Sequence, residues 1–256
     1  MAISPTAEPF FSAAVPDAHD GLRVGVLLVQ GFTGSPASMR PWGQYLAAEG
    51  FGVAVPRLPG HGTTWQECNR TRWADWYGEA ERAFEKLRAD CDHVVVAGLS
   101  MGGSLVLQLA ADRGREVAGI VLVNPAVSTE RKDVLALPVL KHLVGSFPGI
   151  ADDIKKPGVQ EHGYSRTPLK AAHSMMTAWK TVREDLPKVT QPLLMFLASE
   201  DHVVDSSSAR IIRGSVSSRD LNERTLENSF HVATLDNDAP IIFEESAQFI
   251  RRVTGP

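Results

Sequence analysis

Short apolar runs alternate with amphipathic stretches along most of the chain, and the two kinds of segment have different periods. Val24–Val29 is continuous, rich in β-branched residues and bounded by glycine, the pattern of a strand buried on both faces. Gly52–Pro56, His93–Gly98, Ala118–Asn124, Pro192–Ala198 and Leu221–Glu227 also read as strands. Between them the spacing becomes helical. Ser35 and Pro36 open a helix that runs to about Glu49, ahead of Gly50. Trp73–Asp90 puts Trp73, Trp76, Ala80, Ala83 and Leu87 on one face, and Met101–Asp112, Ser206–Gly214 and Pro240–Val253 are further helices. Alternation of this kind predicts an α/β fold, a mostly parallel central sheet with helices on both faces.

The rhythm breaks between about Ser128 and Pro187. This interval has helical patterning, with Leu135, Leu137, Val139, Leu140, Leu143, Val144 and Phe147 followed by Met175, Met176 and Trp179, but no convincing strand. Some 60 residues is too long for a plain connection. Its place between two strands favours a cap over the carboxyl edge of the sheet, where open α/β sheets bind ligands. The expected organisation is therefore a core of residues 1–127 and 188–256 with a cap insertion at residues 128–187.

Composition narrows the function classes. A chain of 256 residues allows one large domain or two small ones. With 43% apolar and 22% charged residues it is globular rather than disordered, collagenous or coiled-coil. Net charge is −4, and no Lys/Arg run builds the footprint that nucleic acid requires. No apolar run approaches the roughly 20 residues that span a bilayer. Met1–Phe11 has neither a basic start nor a long apolar stretch, so no signal peptide is expected and the default location is cytoplasmic. Cys68 and Cys91 form neither a disulfide framework nor a metal-binding spacing, and no metal is expected.

Chemistry enters at Gly98-Leu-Ser-Met-Gly102, which fits G-x-S-x-G. Alone the pattern is weak; directly after a strand and opening a helix, it is the strand–turn–helix setting of a nucleophile elbow, with Ser100 as the nucleophile. Glycine at either end is steric, because a Cβ would crowd the strained turn. A serine hydroxyl needs a base, and the base needs an orienting acid, in the chain order Ser, Asp/Glu, His. Chain order disfavours His19, His61 and His93, and His142, His162 and His173 fall in the insertion. Of the remaining two, His231 lies in the loop after the last strand and is the expected base, with His202 a neighbour. Asp201 is the expected acid, with Asp205 as the fallback. Two backbone N–H groups should form an oxyanion hole: Met101, after the nucleophile, and Phe32, in the loop Gln30–Gly34.

Five blocks carry a wider resemblance: Gln30-Gly-Phe-Thr-Gly-Ser-Pro36, Arg57-Leu-Pro-Gly-His-Gly62, Gly98-Leu-Ser-Met-Gly-Gly103, Glu200-Asp-His-Val-Val204 and Ser229-Phe-His-Val-Ala-Thr-Leu235. In this order, and with Asp153-Ile-Lys-Lys156, they resemble the bacterial monoacylglycerol lipase/carboxylesterase family. The likeness runs from about Leu22 to Val253. It implies an α/β-hydrolase core with a small helical cap and hydrolysis of monoacylglycerols or short- to medium-chain esters without a cofactor. It also implies Ser100, Asp201 and His231 as the triad, with Phe32 and Met101 as oxyanion donors. Glu161 falls where family members can place a carboxylate near glycerol hydroxyls. The family usually has His where this chain has Gln30, which can still hydrogen-bond the loop.

The expected reaction is two-step acyl transfer to water, with the acyl chain lying under the cap against Leu135, Leu143, Met175, Met176 and Trp179. The partner is then a small acyl ester or monoacylglycerol, and an apolar cap could touch a lipid surface transiently. Acyl transfer to another acceptor and thioester hydrolysis use the same triad. A ligand-binding receptor on this scaffold is a rival of another class, usually marked by a lost triad member, and none is lost here.

Overall fold

In a computed structural model, which describes residues 7–15 and 18–255, the alternation read from the sequence folds into one sheet wrapped by helices. The strands are β1 (Phe10–Ser12), β2 (Val24–Val29), β3 (Gly52–Val55), β4 (His93–Leu99), β5 (Gly119–Val123), β6 (Ser146–Pro148), β7 (Arg166–Pro168), β8 (Leu193–Ala198) and β9 (Leu221–Leu226). The helices are α1 (Arg40–Ala48), α2 (Trp65–Cys68), α3 (Trp73–Asp90), α4 (Met101–Arg113), α5 (Leu137–Leu143), α6 (Leu169–Asp185), α7 (Ser207–Ser215) and α8 (Ala239–Thr254). The sheet order is β1-β3-β2-β4-β5-β8-β9. Only β1 runs antiparallel to its neighbour; all the other pairs in this sheet are parallel.

The central strands are apolar at successive positions because each face has its own core. Val24, Val26 and Leu28 of β2 pack with α1 and α8, whereas Leu27 and Val29 pack with α3 and α4. The same alternation recurs in β4, where Val94 and Val96 face one way and Val95, Ala97 and Leu99 the other. Each such side chain, fully buried, contributes roughly 1.5–3 kcal/mol. The α3 face expected from sequence is buried as a unit, Trp73, Trp76, Ala80, Ala83 and Leu87 together with Phe84.

Register brings the strand ends to a common edge. Val29 pairs with Gly98, Leu99 with Val123, and Ala198 with Leu226. The segments that follow β2, β4, β5, β8 and β9 therefore leave the sheet on the same side, the carboxyl edge.

The insertion differs from the expected helical cap. It holds a two-stranded antiparallel ladder, β6 with β7, each strand too short to show a period. Its rear part is built into the molecule: Ala171, Met175, Trp179 and Val182 of α6 join the same core as Leu27 and Val96. Tyr164 is pinned to the loop after β3, its hydroxyl donating to the Gly60 carbonyl (2.8 Å) and accepting from the Thr63 N–H (2.9 Å). The front part is different, with Leu135, Val139, Leu143, Phe147 and Ile150 exposed. Strand β1 was not read from the sequence either. Residues 1–6, part of the start where no signal peptide is expected, lie outside the described residues. Among the described residues no helix is long and apolar enough to cross a membrane.

Candidate active site

Ser100 sits at the tip of the turn between β4 and α4 with φ +55° and ψ −118°, a conformation L-residues rarely adopt. Such a residue costs on the order of 1–3 kcal/mol, so the surroundings must impose it. They do so through main-chain bonds and missing Cβ atoms. The Ser100 N–H donates to the Val123 carbonyl (3.0 Å), and its carbonyl accepts from Gly103 (3.0 Å) and Ala126 (3.1 Å). A Cβ on Gly98 would overlap the main chain of Gly102, and one on Gly102 would overlap the Val29 carbonyl. The first turn of α4 thus rests directly on the ends of β2 and β4. Met101 opens α4, so its N–H has no intrahelical acceptor and points out of the helix start.

The loop after β2 comes alongside. A Cβ on Gly31 would stand 3.3 Å from the Ser100 Cβ, which brings the Gly31–Phe32 main chain against Ser100. Among the described residues the Phe32 N–H has no hydrogen-bond acceptor. Gln30 closes this loop: its side-chain amide donates to the Gly34 carbonyl at 3.1 Å.

On the other side, His231 Nδ1 lies 2.8 Å from Asp201 Oδ2, both side chains nearly buried. Burial works against the Asp201 carboxylate. The His231 bond and the N–H groups of Val204 and Val203 outweigh it and hold its pKa below the ordinary value. Asp201 is therefore an anion able to fix the imidazole tautomer. Asp205, the fallback, is engaged elsewhere, accepting from Ser207 at the start of α7 and from Glu130. His202 lies between Asp153 and Glu200, which raise its pKa, and its half-exposed ring is not available as a base. His61 is fully buried and neutral, with its pKa lowered to about 4 chiefly by desolvation. No hydrogen bond joins Ser100 Oγ to His231 among the described residues, a contact that in free enzymes is often long and tightens with substrate.

Carboxylates that sequence reasoning passed over build the His231 loop. Asp238 accepts from the Asn228 N–H (2.7 Å) and the Ser229 hydroxyl (3.0 Å), and Asp236 accepts from the Phe230 N–H (2.9 Å) and from Lys155 and Lys156. The signal available was Asp236 and Asp238 themselves, two acids in a loop otherwise becoming a buried helix.

Glu161 is buried beside the loop Gln30–Gly34. A Cβ on Gly34 would overlap its carboxylate, and its main-chain N–H is held by Asp152. Burial pushes its pKa up to about 7, against the pull of His231 and of a bond to Ser38. Near the same loop, Leu137, Leu169 and Ala172 form an apolar cluster joined by Phe32, Leu140 and Met176. Of the residues expected against an acyl chain, Leu135, Leu143, Met175 and Trp179 lie elsewhere, Leu135 exposed and Trp179 buried in the main core. Leu143 is 75% exposed, because α5 turns Leu137 and Leu140 inward and its far end outward. Met175 is buried in the main core, and its neighbour Met176 packs against the cluster of Leu137, Leu169 and Ala172, as Phe32 does.

Residues 26–242 match the model of the alpha/beta hydrolase family. The chain is an α/β-hydrolase. Within that family it belongs with the bacterial monoacylglycerol lipases and carboxylesterases. It is 38% identical to a thermostable monoacylglycerol lipase of Bacillus sp. (strain H-257), over 97% of this chain and 96% of that one. It is 26% identical to a carboxylesterase of Bacillus subtilis (strain 168), over 89% and 92%. Among solved structures, a chain described with LipS and LipT, two metagenome-derived lipolytic enzymes, superposes with a TM-score of 0.92 at 39% identity, covering 98% of this chain and all of that one. Among the described residues of this hydrolase, no group of three or more His, Cys, Asp or Glu could hold a metal ion.

Proposed function

We propose that this hydrolase cleaves carboxylic esters through an acyl-enzyme on Ser100, with monoacylglycerols as the preferred substrates. His231 takes the Ser100 proton as the hydroxyl attacks the ester carbonyl, and Asp201 holds the imidazole in the tautomer that can accept it. The N–H groups of Phe32 and Met101 receive the oxyanion. His231 then protonates the leaving alcohol, and water repeats the sequence on the acyl-enzyme.

The observation that carries the glyceride reading is the two-sided wall at the oxyanion loop. An apolar cluster of Leu137, Leu169, Ala172 and Met176 adjoins Phe32, and the buried Glu161 carboxyl lies against Gly34 in the same loop. A monoacylglycerol has the matching halves, a hydrocarbon chain and a diol. In this reading Glu161 hydrogen-bonds the glycerol hydroxyls. The names of the relatives point the same way.

The test is glycerol release from a medium-chain monoacylglycerol, with Ser100→Ala as the blank. Release that vanishes in the variant supports the reading. Ser100-dependent cleavage of a p-nitrophenyl ester without glycerol release would keep the triad and discard the substrate. Full activity in Ser100→Ala would discard both.

A further inference from the structure

His231 is gripped from three directions, and only one grip is the ring bond to Asp201. Its main-chain carbonyl accepts from Asn124 Nδ2 at 2.8 Å. Its main-chain N–H donates to Asp153 Oδ2 at 3.1 Å, and the next N–H, that of Val232, donates to the Asp153 carbonyl at 3.1 Å. Asn124 directly follows β5, with φ +42°, and its Oδ1 accepts from the Ala198 N–H at 2.8 Å, which leaves the amide nitrogen for His231. Asp153 comes from the insertion rather than from the core, so side chain and main chain of one insertion residue together carry two consecutive residues of the His231 turn.

The Asp153 carboxylate is itself held in place. Its side chain is 9% exposed. Oδ1 faces His202 Nδ1 at 2.8 Å, and Oδ2 also accepts from the His202 N–H at 3.3 Å. His202 Nε2 in turn lies 3.3 Å from Glu200. With carboxylates at both ring nitrogens, the imidazolium form is favoured and supplies a counter-charge for the buried acid.

We propose that Asp153 is a positioning residue for the catalytic base, fixing the main chain at His231 so that the ring presents Nε2 to Ser100. The proposal rests on the triad reading above. The bond to Asp201 anchors one ring nitrogen but leaves the imidazole free to swing about that anchor. Fixing the main chain on both sides of the Cα removes the swing. Proton transfer needs heavy atoms within hydrogen-bond reach, and a misplacement of about 1 Å can cost roughly 100-fold in rate.

The experiment is steady-state hydrolysis of p-nitrophenyl butyrate by Asp153→Ala, Asp153→Asn and His231→Ala, with melting temperatures measured alongside. Asp153→Ala is expected to lower kcat about 10- to 100-fold with KM within about twofold of the parent. Asp153→Asn keeps an oxygen that can accept from the His231 N–H and is expected to recover kcat to within about threefold. A kcat for Asp153→Ala within about twofold of the parent overturns the proposal. Equal losses in Ala and Asn also overturn it, because the effect then belongs to charge and not to the bond. Where the alanine variant fails to fold, Asp153→Glu keeps the charge while displacing the oxygen. The same loss of kcat at unchanged KM is expected there, and an undiminished kcat overturns the proposal. Activity retained in His231→Ala would instead remove the triad reading on which the proposal stands, whereas an inactive His231→Ala beside a fully active Asp153→Ala would sink the positioning role alone.

Discussion

At the level of single residues, the site is defined by groups held where they would not go unaided. Glu161 is the clearest case. Its carboxyl is buried, and desolvation raises its pKa from an ordinary 4.5 to about 7. The folded state therefore holds a proton that the unfolded chain has released between those two values. The stability contributed by the protonated form is complete below about pH 4.5 and is lost as pH rises through 7, a change of roughly 3 kcal/mol. Glu161→Gln cannot titrate, so denaturant melts should show the parent losing ground to this variant across that window and no further above it. A difference independent of pH would mean that Glu161 is already ionised throughout. In catalysis, Glu161→Ala is expected to lower kcat/KM for a monoacylglycerol about tenfold, as loss of a buried polar partner does, while leaving p-nitrophenyl butyrate little changed. Equal effects on both substrates would remove the diol-facing role. Gly34 is coupled to the same carboxylate, since a methyl group there would occupy its space. Gly34→Ala should therefore be costly beside Glu161 and milder beside Glu161→Ser, a non-additivity that a double-mutant cycle reads directly.

At the level of elements, legibility followed period and length. Each long strand and helix of the core has enough residues to repeat its pattern, and the Trp73–Leu87 face or the Val24–Val29 run could be read without a fold in mind. Ser100 was legible because the G-x-S-x-G constraint is local: the glycines, the strand and the helix are contiguous. Asp153 and Asn124 were not, because their partners lie 78 and 107 residues away and nothing in the sequence pairs them. Strands β6 and β7 are three residues each and show no alternation. Helix α5 illustrates a subtler limit. Of its apolar residues Leu143 was expected against the acyl chain, but two directions are used at once: Leu137 is buried with Leu169 and Ala172 while Val139 and Leu143 are exposed. That outward stripe suits a lipid–water interface, where sparingly soluble esters collect. Val139→Glu should slow hydrolysis of a long-chain monoacylglycerol presented in micelles several-fold and leave a dissolved short-chain ester unaffected. Equal rates on micelles for the variant and the parent would remove the interfacial role.

At the level of the whole molecule, the candidate site is assembled from several loops along the carboxyl edge. Ser100 follows β4, Asn124 follows β5, Asp201 follows β8 and His231 follows β9, while Asp153 reaches in from the insertion. The insertion is thus two things in one stretch of chain. Residues after 150 are sewn to the His231 loop, to the loop after β3 and to the core through α6. Residues 135–150 present exposed apolar side chains and supply no hydrogen bond to the triad among the described residues. A protein divided in this way can vary one half as a cassette. Exchanging only the outward side chains of this stretch, Leu135, Val139, Leu143 and Phe147, for those of a relative should leave turnover of a dissolved ester unchanged, because Leu137 and the hydrogen bonds to the His231 loop stay in place.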